Sequence, residues 1–224
     1  MFAQQPNITL LLHSFLCGVE VEAGNITRVT VAGKNTTTSY QAKTFIDATG
    51  DGDLAALCHV GFDKGRPSDG YTQPMSMIFK VGGIDFGKVI SYMRQNPEQF
   101  ILHKDYKQLD RYLAVSGFFD IVRLAKACGD FNIPRDRILF FQGLHPGEAF
   151  INTSRIIKLS GLSSHDQTIA ETEAARQVEE LLTFFRKYLP GFESSYLAAI
   201  ADVTGVRESR RIHGRYTLTV EDVY

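Results

Sequence analysis

Alternating apolar and polar residues dominate the start of the chain and predict a small antiparallel sheet. Turn-forming residues at 23–25 and 32–35 separate the candidate strands. Strands joined by such short connections run antiparallel to their neighbours, so we expect a β-meander. The candidate strands are 8–17, 19–22, 26–31 and 39–46.

Helical and strand patterns mix in the rest of the chain. Apolar residues recur at helical spacing over 168–189, and Thr168 with Glu171 forms a capping box at the start of that helix. Asp85 is a natural N-cap for a helix over 86–95. The pattern therefore predicts an α+β chain. Further helices are expected over 54–58, within 98–135 and after Glu193, and strands over 75–81, 137–142, 148–152 and 200–206.

Composition and charge narrow the classes of protein to consider. The chain has 224 residues, 44% of them hydrophobic and 22% charged, with a net charge of −1. These values are typical of a globular chain and give no electrostatic footprint for nucleic acid. No apolar run approaches the roughly 20 residues of a membrane-spanning helix. The three cysteines are odd in number and far apart, which fits a reducing compartment and leads us to expect a cytoplasmic protein.

The sequence predicts no metal site. None of the six histidines has another histidine three or four positions away, which is the spacing that places two ligands on one helix face. The adjacent Cys58 and His59 would point apart on a helix.

A glycine-rich turn after the first predicted strands carries the most informative motif. Gly50-x-Gly52-x-x-Ala55 follows a strand and precedes a helix, as in the dinucleotide-binding fingerprint. However, Asp51 and Asp53 would place two carboxylates where that fingerprint needs an anion-binding helix N-terminus. Two like charges about 4 Å apart repel by roughly 1 kcal/mol in water and by more in a partly buried site. The turn is therefore expected to be a poor cradle for a pyrophosphate.

The same turn suits a secondary contact with a nucleotide cofactor. Its small residues let a ligand approach the backbone at the end of a strand, and an aspartate there can accept hydrogen bonds from sugar hydroxyls. Two alternatives stay open: a tight turn with Asp51 or Asp53 as N-cap, and an NAD-type dehydrogenase that uses Gly50 and Gly52. The candidate cofactor-binding residues are Ala48, Thr49, Gly50, Asp51, Gly52 and Gln73.

An arginine-rich segment near the end of the chain is a second candidate site. Guanidinium groups stay charged and bind carboxylates through paired hydrogen bonds, so Arg207, Arg210 and Arg211 are candidate catalytic residues. His213 is a general-base candidate by residue type alone. Ion pairing on the surface is the alternative for the arginines.

Three further polar residues lie in or beside predicted loops, where binding residues concentrate. Asn152 and Arg155 are candidate substrate contacts, and Gln73 is a candidate cofactor contact. Hydrogen bonding within a turn or cap is the alternative for each of them.

Several of these segments resemble one family. The run from Phe45 to Ala55 is similar to the A-T-G-D segment of FAD-dependent oxidoreductases of the fumarate reductase/glutathione reductase-like superfamily. In that family, a β-meander leaves the FAD-binding domain and returns through this strand to touch the cofactor. Other stretches resemble a bacterial branch of the family in the same order: Gly65-Arg66, Thr72-Gln73-Pro74-Met75, Asn152-Thr153-Ser154-Arg155, Pro190-Gly191-Phe192-Glu193, and the ten residues from Gly205 to Gly214.

The resemblance implies a two-domain flavoprotein. It implies that residues 1–60 are part of an FAD-binding domain and that residues 61–224 form a mixed α/β substrate domain. The implied cofactor is FAD, and the implied reaction transfers hydride between N5 of FAD and a small organic substrate. A reduced flavin is negative near N1, so an arginine of the 207–211 segment placed there would favour hydride acceptance.

The chain also departs from that family. It has no opening strand–GxGxxG–helix segment with an acidic residue for the adenosine ribose. We therefore expect an internal fragment of a longer flavoprotein that alone is inactive and either colourless or weakly flavin-binding. Apolar surface exposed by the missing neighbour would favour homo-oligomers. A non-catalytic binding or assembly module is the alternative.

Overall fold

The computed structural model describes residues 5–101 and 113–223. Contacts divide the chain into two compact units, one of residues 1–65 and 210–224 and the other of residues 66–209. The assignment of an FAD-binding domain and a substrate domain to either side of residue 60 stays a prediction. In chain order the elements are β1 (Phe15–Glu22), β2 (Asn25–Ala32), β3 (Thr37–Tyr40), α1 (Asp53–Leu57), β4 (Phe62–Asp63), β5 (Phe79–Gly82), α2 (Phe86–Gln95), β6 (Ala114–Gly117), α3 (Phe119–Ala127), β7 (Ile138–Gln142), β8 (Ala149–Ile151), α4 (Ser164–Tyr188), β9 (Tyr196–Ile200) and β10 (Arg211–Ile212).

The first unit contains the predicted β-meander. β1, β2 and β3 pair in sequence order and antiparallel, with Val19 opposite Val29. Ala23 and Gly24 make the turn between β1 and β2, with φ angles of 50° and 79°. Two successive left-handed residues give the turn a twist that matches the flanking strands. The prediction of a meander is confirmed.

Two strand boundaries predicted for this unit are wrong. The strand expected from residue 8 begins only at Phe15, because His13 takes a φ of 53° that interrupts the extended backbone. The strand expected over 39–46 ends at Tyr40, where the chain leaves its partner β2. A second, short antiparallel pair joins β4 to β10.

The second unit is built on a five-stranded antiparallel sheet in the order β6-β7-β8-β5-β9. Alternate residues of the central strands are buried, including Phe79 and Val81 on β5 and Phe140 on β7. This period of two is typical of a sheet with one covered face. α4 supplies the cover, since the rings of Phe79 and Phe185 stack with their centroids 6.4 Å apart.

Several predicted elements of this unit are confirmed. The helix expected over 86–95 is α2, and the side chain of its N-cap Asp85 accepts a hydrogen bond from the Lys88 N–H. The strands expected over 137–142 and 148–152 are β7 and β8, which pair antiparallel.

The predicted start of the longest helix is wrong. α4 begins four residues before Thr168, because Ser163 is the N-cap and its hydroxyl accepts from the Asp166 N–H. Thr168 and Glu171 therefore lie inside the helix and form no capping box. Serine and threonine both cap well, so the local pattern did not distinguish the two starts.

Pairing with distant strands explains two further differences from the predicted elements. A strand, β9, lies where a helix was expected after Glu193, because its backbone pairs with the free edge of β5. Within 98–135, α3 confirms an expected helix, but the strand β6 lies there as well, and residues 102–112 of that region lie outside the described residues. β5 begins at Phe79 rather than at residue 75, and the preceding residues form only isolated bridges.

The described residues were also compared with what a membrane-spanning helix, a metal site or a disulfide requires. A membrane crossing would need a long apolar helix, and none of the helices in residues 5–101 and 113–223 meets that need. The same ranges contain no group of three or more His, Cys, Asp or Glu side chains placed to hold a metal ion. All three cysteines are free thiols.

Candidate functional site

The 47–53 turn of the first unit is organised by the carboxylate of Asp47. Asp47 Oδ1 accepts hydrogen bonds from the N–H of Thr49 at 3.1 Å and from its hydroxyl at 2.8 Å. Asp47 Oδ2 accepts from the Ala55 N–H at 3.0 Å, and Thr49 Oγ1 accepts from the Asp53 N–H at 2.8 Å. The expectation that Asp51 or Asp53 caps α1 is wrong, since the N-cap residue is Gly52, which has no side chain that could accept a hydrogen bond.

These bonds decide what the turn can bind. A pyrophosphate at a dinucleotide fingerprint needs the free N–H groups of a helix N-terminus. Here the Asp47 carboxylate and the Thr49 hydroxyl already take the N–H groups at the start of α1. The turn is therefore unsuited to cradle a pyrophosphate, and an NAD-type dehydrogenase built on Gly50 and Gly52 is not favoured.

The same hydrogen bonds predict a pH dependence. Partial burial alone would raise the pKa of Asp47, but the bonds from Ala55 and Thr49 outweigh it and lower that pKa below its usual value. A depressed pKa in the folded state adds stability that is present above the unfolded value of about 3.9 and is lost as pH falls through the folded value.

We therefore expect Asp47→Asn to lower the melting temperature at neutral pH and to flatten its fall below about pH 4. Circular dichroism melts of both proteins at several pH values would measure this. Asp202→Asn, at an exposed loop residue of the second unit, is the control and should leave the profile unchanged. Parallel profiles for the wild type and the Asp47→Asn variant would contradict the assignment.

The middle of the turn is open to solvent. Ala48, Thr49 and Gly50 are exposed, and Asp51 and Gly52 are half-buried. Gly50 has a φ of +86°, and a Cβ built on it would meet no atom within 4 Å. A ligand can therefore approach the backbone of Gly50 directly.

Gly52 differs from Gly50 in its surroundings. Its φ is +65°, and a Cβ there would lie 2.8 Å from Ile212 Cδ1. We expect Gly52→Ala and Gly50→Ala each to destabilise the first unit by about 1–3 kcal/mol, the cost of a left-handed alanine. Gly52→Ala should cost more, and adding Ile212→Val, which removes the contacting methyl, should return its stability toward that of Gly50→Ala. Equal stabilities for the two single variants in urea denaturation would contradict this.

The three candidate catalytic residues after residue 209 make polar contacts within the first unit. Arg210 donates through one terminal nitrogen to the backbone oxygen of Asp51 at 2.9 Å and to Asp53 Oδ1 at 2.7 Å. Arg211 donates to the Gly65 oxygen at 2.6 Å. His213 Nε2 lies 3.2 Å from a carboxylate oxygen of Asp63. Arg210 thus offsets the carboxylate repulsion that the sequence predicts at this turn.

The other candidates line one cavity in the second unit, which we call the arginine pocket. Gln73, Asn152, Arg155 and Arg207 all border this cavity of about 370 Å³. It lies at the end of the sheet where β5 and β7 begin and β8 and β9 end. Antiparallel order brings these four strand ends together, although the residues are far apart in the sequence. The remaining lining residues are Pro74, Met75, Ser76, Arg135, Leu139 and Ser154.

Arg135 is a member of this pocket that the sequence reasoning missed. It is half-buried, and its Nε donates to the Thr153 oxygen at 3.2 Å. Burial first, and then the positive charges of Arg155 and Arg207, lower the pKa of Arg135. Phe140 pairs with Ile151 in the hairpin, so extending that register toward residue 135 would have revealed the neighbour of Arg155.

The predicted site residues thus fall into two groups, one in each unit. The 47–53 turn contacts Arg210 and shares the first unit with Arg211 and His213, whereas Gln73, Asn152 and Arg155 border one cavity with Arg207. The role of each residue in binding or catalysis stays a prediction.

Comparison with known proteins supports the resemblance read from the sequence. The chain belongs to the FAD dependent oxidoreductase family, whose family model matches residues 1–224. Comparison with curated proteins and with solved structures gives no match. The predicted membership in an FAD-dependent oxidoreductase family is confirmed.

Proposed function

We propose that this protein takes part in the flavin-dependent oxidation or reduction of a small organic substrate, with hydride passing between the substrate and N5 of FAD. The observation that carries the proposal is the family match over residues 1–224. When bound, FAD supplies the hydride chemistry, and the protein supplies binding, orientation and electrostatics.

The residues of the 47–53 turn fit a contact with the sugar part of FAD. The exposed backbone at Gly50 is open to a ligand, and carboxylates are hydrogen-bond acceptors suited to hydroxyl groups. The bound N–H groups at the start of α1 disfavour a pyrophosphate there. Ala48, Thr49, Gly50, Asp51 and Gly52 would therefore contact a ribityl or ribose group.

The arginines divide between two proposed roles. Arg207 borders the arginine pocket and would orient an anionic substrate. Arg210 holds the backbone at Asp51 and the side chain of Asp53, so it acts as a positioning residue for the turn. Asn152 and Arg155 would contact the substrate from the pocket wall, and Gln73, which borders the same cavity, would contact the cofactor.

The proposed function is tested by following the visible absorbance of FAD in the presence of excess protein without oxygen. We expect a weak but saturable change in the flavin spectrum on adding protein. A module that binds no flavin would give no such change. A flavin spectrum that the protein leaves unchanged at saturating concentrations would contradict the proposal.

A further inference from the structure

The arginine pocket carries an excess of positive charge. Arg135, Arg155 and Arg207 border the same cavity, and none of them takes part in an ion pair with the residues that the structure describes. The nearby acidic residues form their contacts elsewhere: Asp136 binds Arg137 at 2.8 Å and acts on Arg135 only as a smaller through-space charge, and Glu208 accepts from the Gln73 N–H at 2.8 Å.

A bound anion would relieve the mutual repulsion of these three like charges. Arg135 and Arg155 are half-buried and Arg207 is exposed, and burial further disfavours the charged form of an arginine. The lowered pKa of Arg135 reflects both effects. Unpaired cations gathered in this way are typical of binding sites rather than of surfaces selected for stability.

Two of the guanidinium groups are held in place by neutral partners. Arg207 donates through one terminal nitrogen to Ser76 Oγ at 3.0 Å and to Asn152 Oδ1 at 3.1 Å. Arg135 uses its Nε to bind the Thr153 oxygen. These bonds orient the two groups without neutralising them, so terminal N–H groups stay available for an acceptor with several oxygens.

The size and lining of the cavity limit its ligand. About 370 Å³ is within the range of small-molecule sites and too small for a polymer. Pro74, Met75 and Leu139 provide apolar contacts beside the arginines, which suit a short carbon skeleton.

We infer that the arginine pocket binds a small organic anion, and that Arg135, Arg155 and Arg207 hold the doubly charged part of that anion, either a dicarboxylate or a phosphate group. This inference rests on the proposed function for its role, because such an anion would be the substrate that meets the flavin. Binding itself needs no cofactor, so it can be tested separately.

The test measures binding of malonate, inorganic phosphate and acetate to the protein by calorimetry without FAD, at one ionic strength set with sodium chloride. We expect saturable binding of malonate or phosphate and much weaker binding of singly charged acetate. Malonate alone would identify a dicarboxylate, and phosphate alone a phosphate ester. Absence of saturable binding for both doubly charged anions would overturn the inference, whatever the outcome with FAD.

Matched variants locate the site. Arg155→Gln and Arg207→Gln should each weaken binding by about tenfold or more, because charge-assisted hydrogen bonds are lost, while Arg155→Lys should weaken it less. Arg123→Gln removes the same charge from an exposed position on α3 and should leave affinity unchanged. Equal weakening by Arg123→Gln would show a general charge effect and overturn the inference.

Melting temperatures with and without the anion distinguish a binding role of Arg155 from a structural role. Without anion, Arg155→Gln should melt at the same temperature as the wild type or higher, because one source of repulsion is gone. The anion should raise the melting temperature of the wild type but not that of the variant. A variant that melts lower in both conditions would assign Arg155 a structural role and contradict the inference.

Discussion

Phe185→Ala is expected to lower the free energy of unfolding by about 3–5 kcal/mol, the cost of deleting a fully buried aromatic side chain. Phe185 is completely buried on α4 and contacts three other rings, those of Phe79, Phe184 and Phe192. Its loss would open a cavity between α4 and the sheet. Urea denaturation followed by circular dichroism would measure the effect.

Phe141→Ala provides the matched control for that variant. Phe141 lies on β7 of the same sheet, but its side chain is 40% exposed on the uncovered face. The same truncation there removes less contact and should cost clearly less stability. Similar losses for the two variants would contradict the assignment of α4 as the cover of the sheet.

Arg210→Ala is expected to lower the free energy of unfolding of the first unit by on the order of 1–3 kcal/mol, which is the usual loss for hydrogen bonds to a charged group. The Arg210 side chain is only 17% exposed, and its guanidinium also lies 5.5 Å from the ring centre of Phe62. The loss should not be larger, because Asp53 is 44% exposed and water can solvate its carboxylate. Hydrogen exchange should report faster opening of the 47–53 turn and of α1.

Arg28→Ala is the control for this arginine. Arg28 pairs with Glu20 at 3.2 Å on the exposed face of the meander, and such surface pairs contribute about 0–1 kcal/mol. Its removal should leave exchange in the 47–53 turn unchanged. If both variants opened the turn equally, Arg210 would have no particular role in positioning it.

The sequence predicted the elements that local rules control. The meander follows from alternation and the short turn at Ala23 and Gly24, and α2 follows from the Asp85 cap. The sequence did not predict elements whose conformation depends on a partner far away along the chain. β9 is a strand because β5 offers it an open edge, and no local pattern carries that information.

The candidate sites show the same division. Gln73, Asn152, Arg155 and Arg207 were selected one by one, and only the sheet order reveals that they share a cavity. At the 47–53 turn, local rules selected Asp51 and Asp53 as caps because they lie next to α1. The cap is instead supplied by Asp47 and Thr49, which reach the helix from the end of the preceding segment.

Residue-resolved amide NMR during titration with FAD measures the proposed contact between the 47–53 turn and FAD, because it detects weak as well as tight binding. We expect saturable shifts of the Gly50 and Gly52 amides, reduced in Gly50→Ala. Saturable shifts elsewhere that leave the 47–53 amides unmoved, or no shifts at the highest FAD concentration, would contradict it.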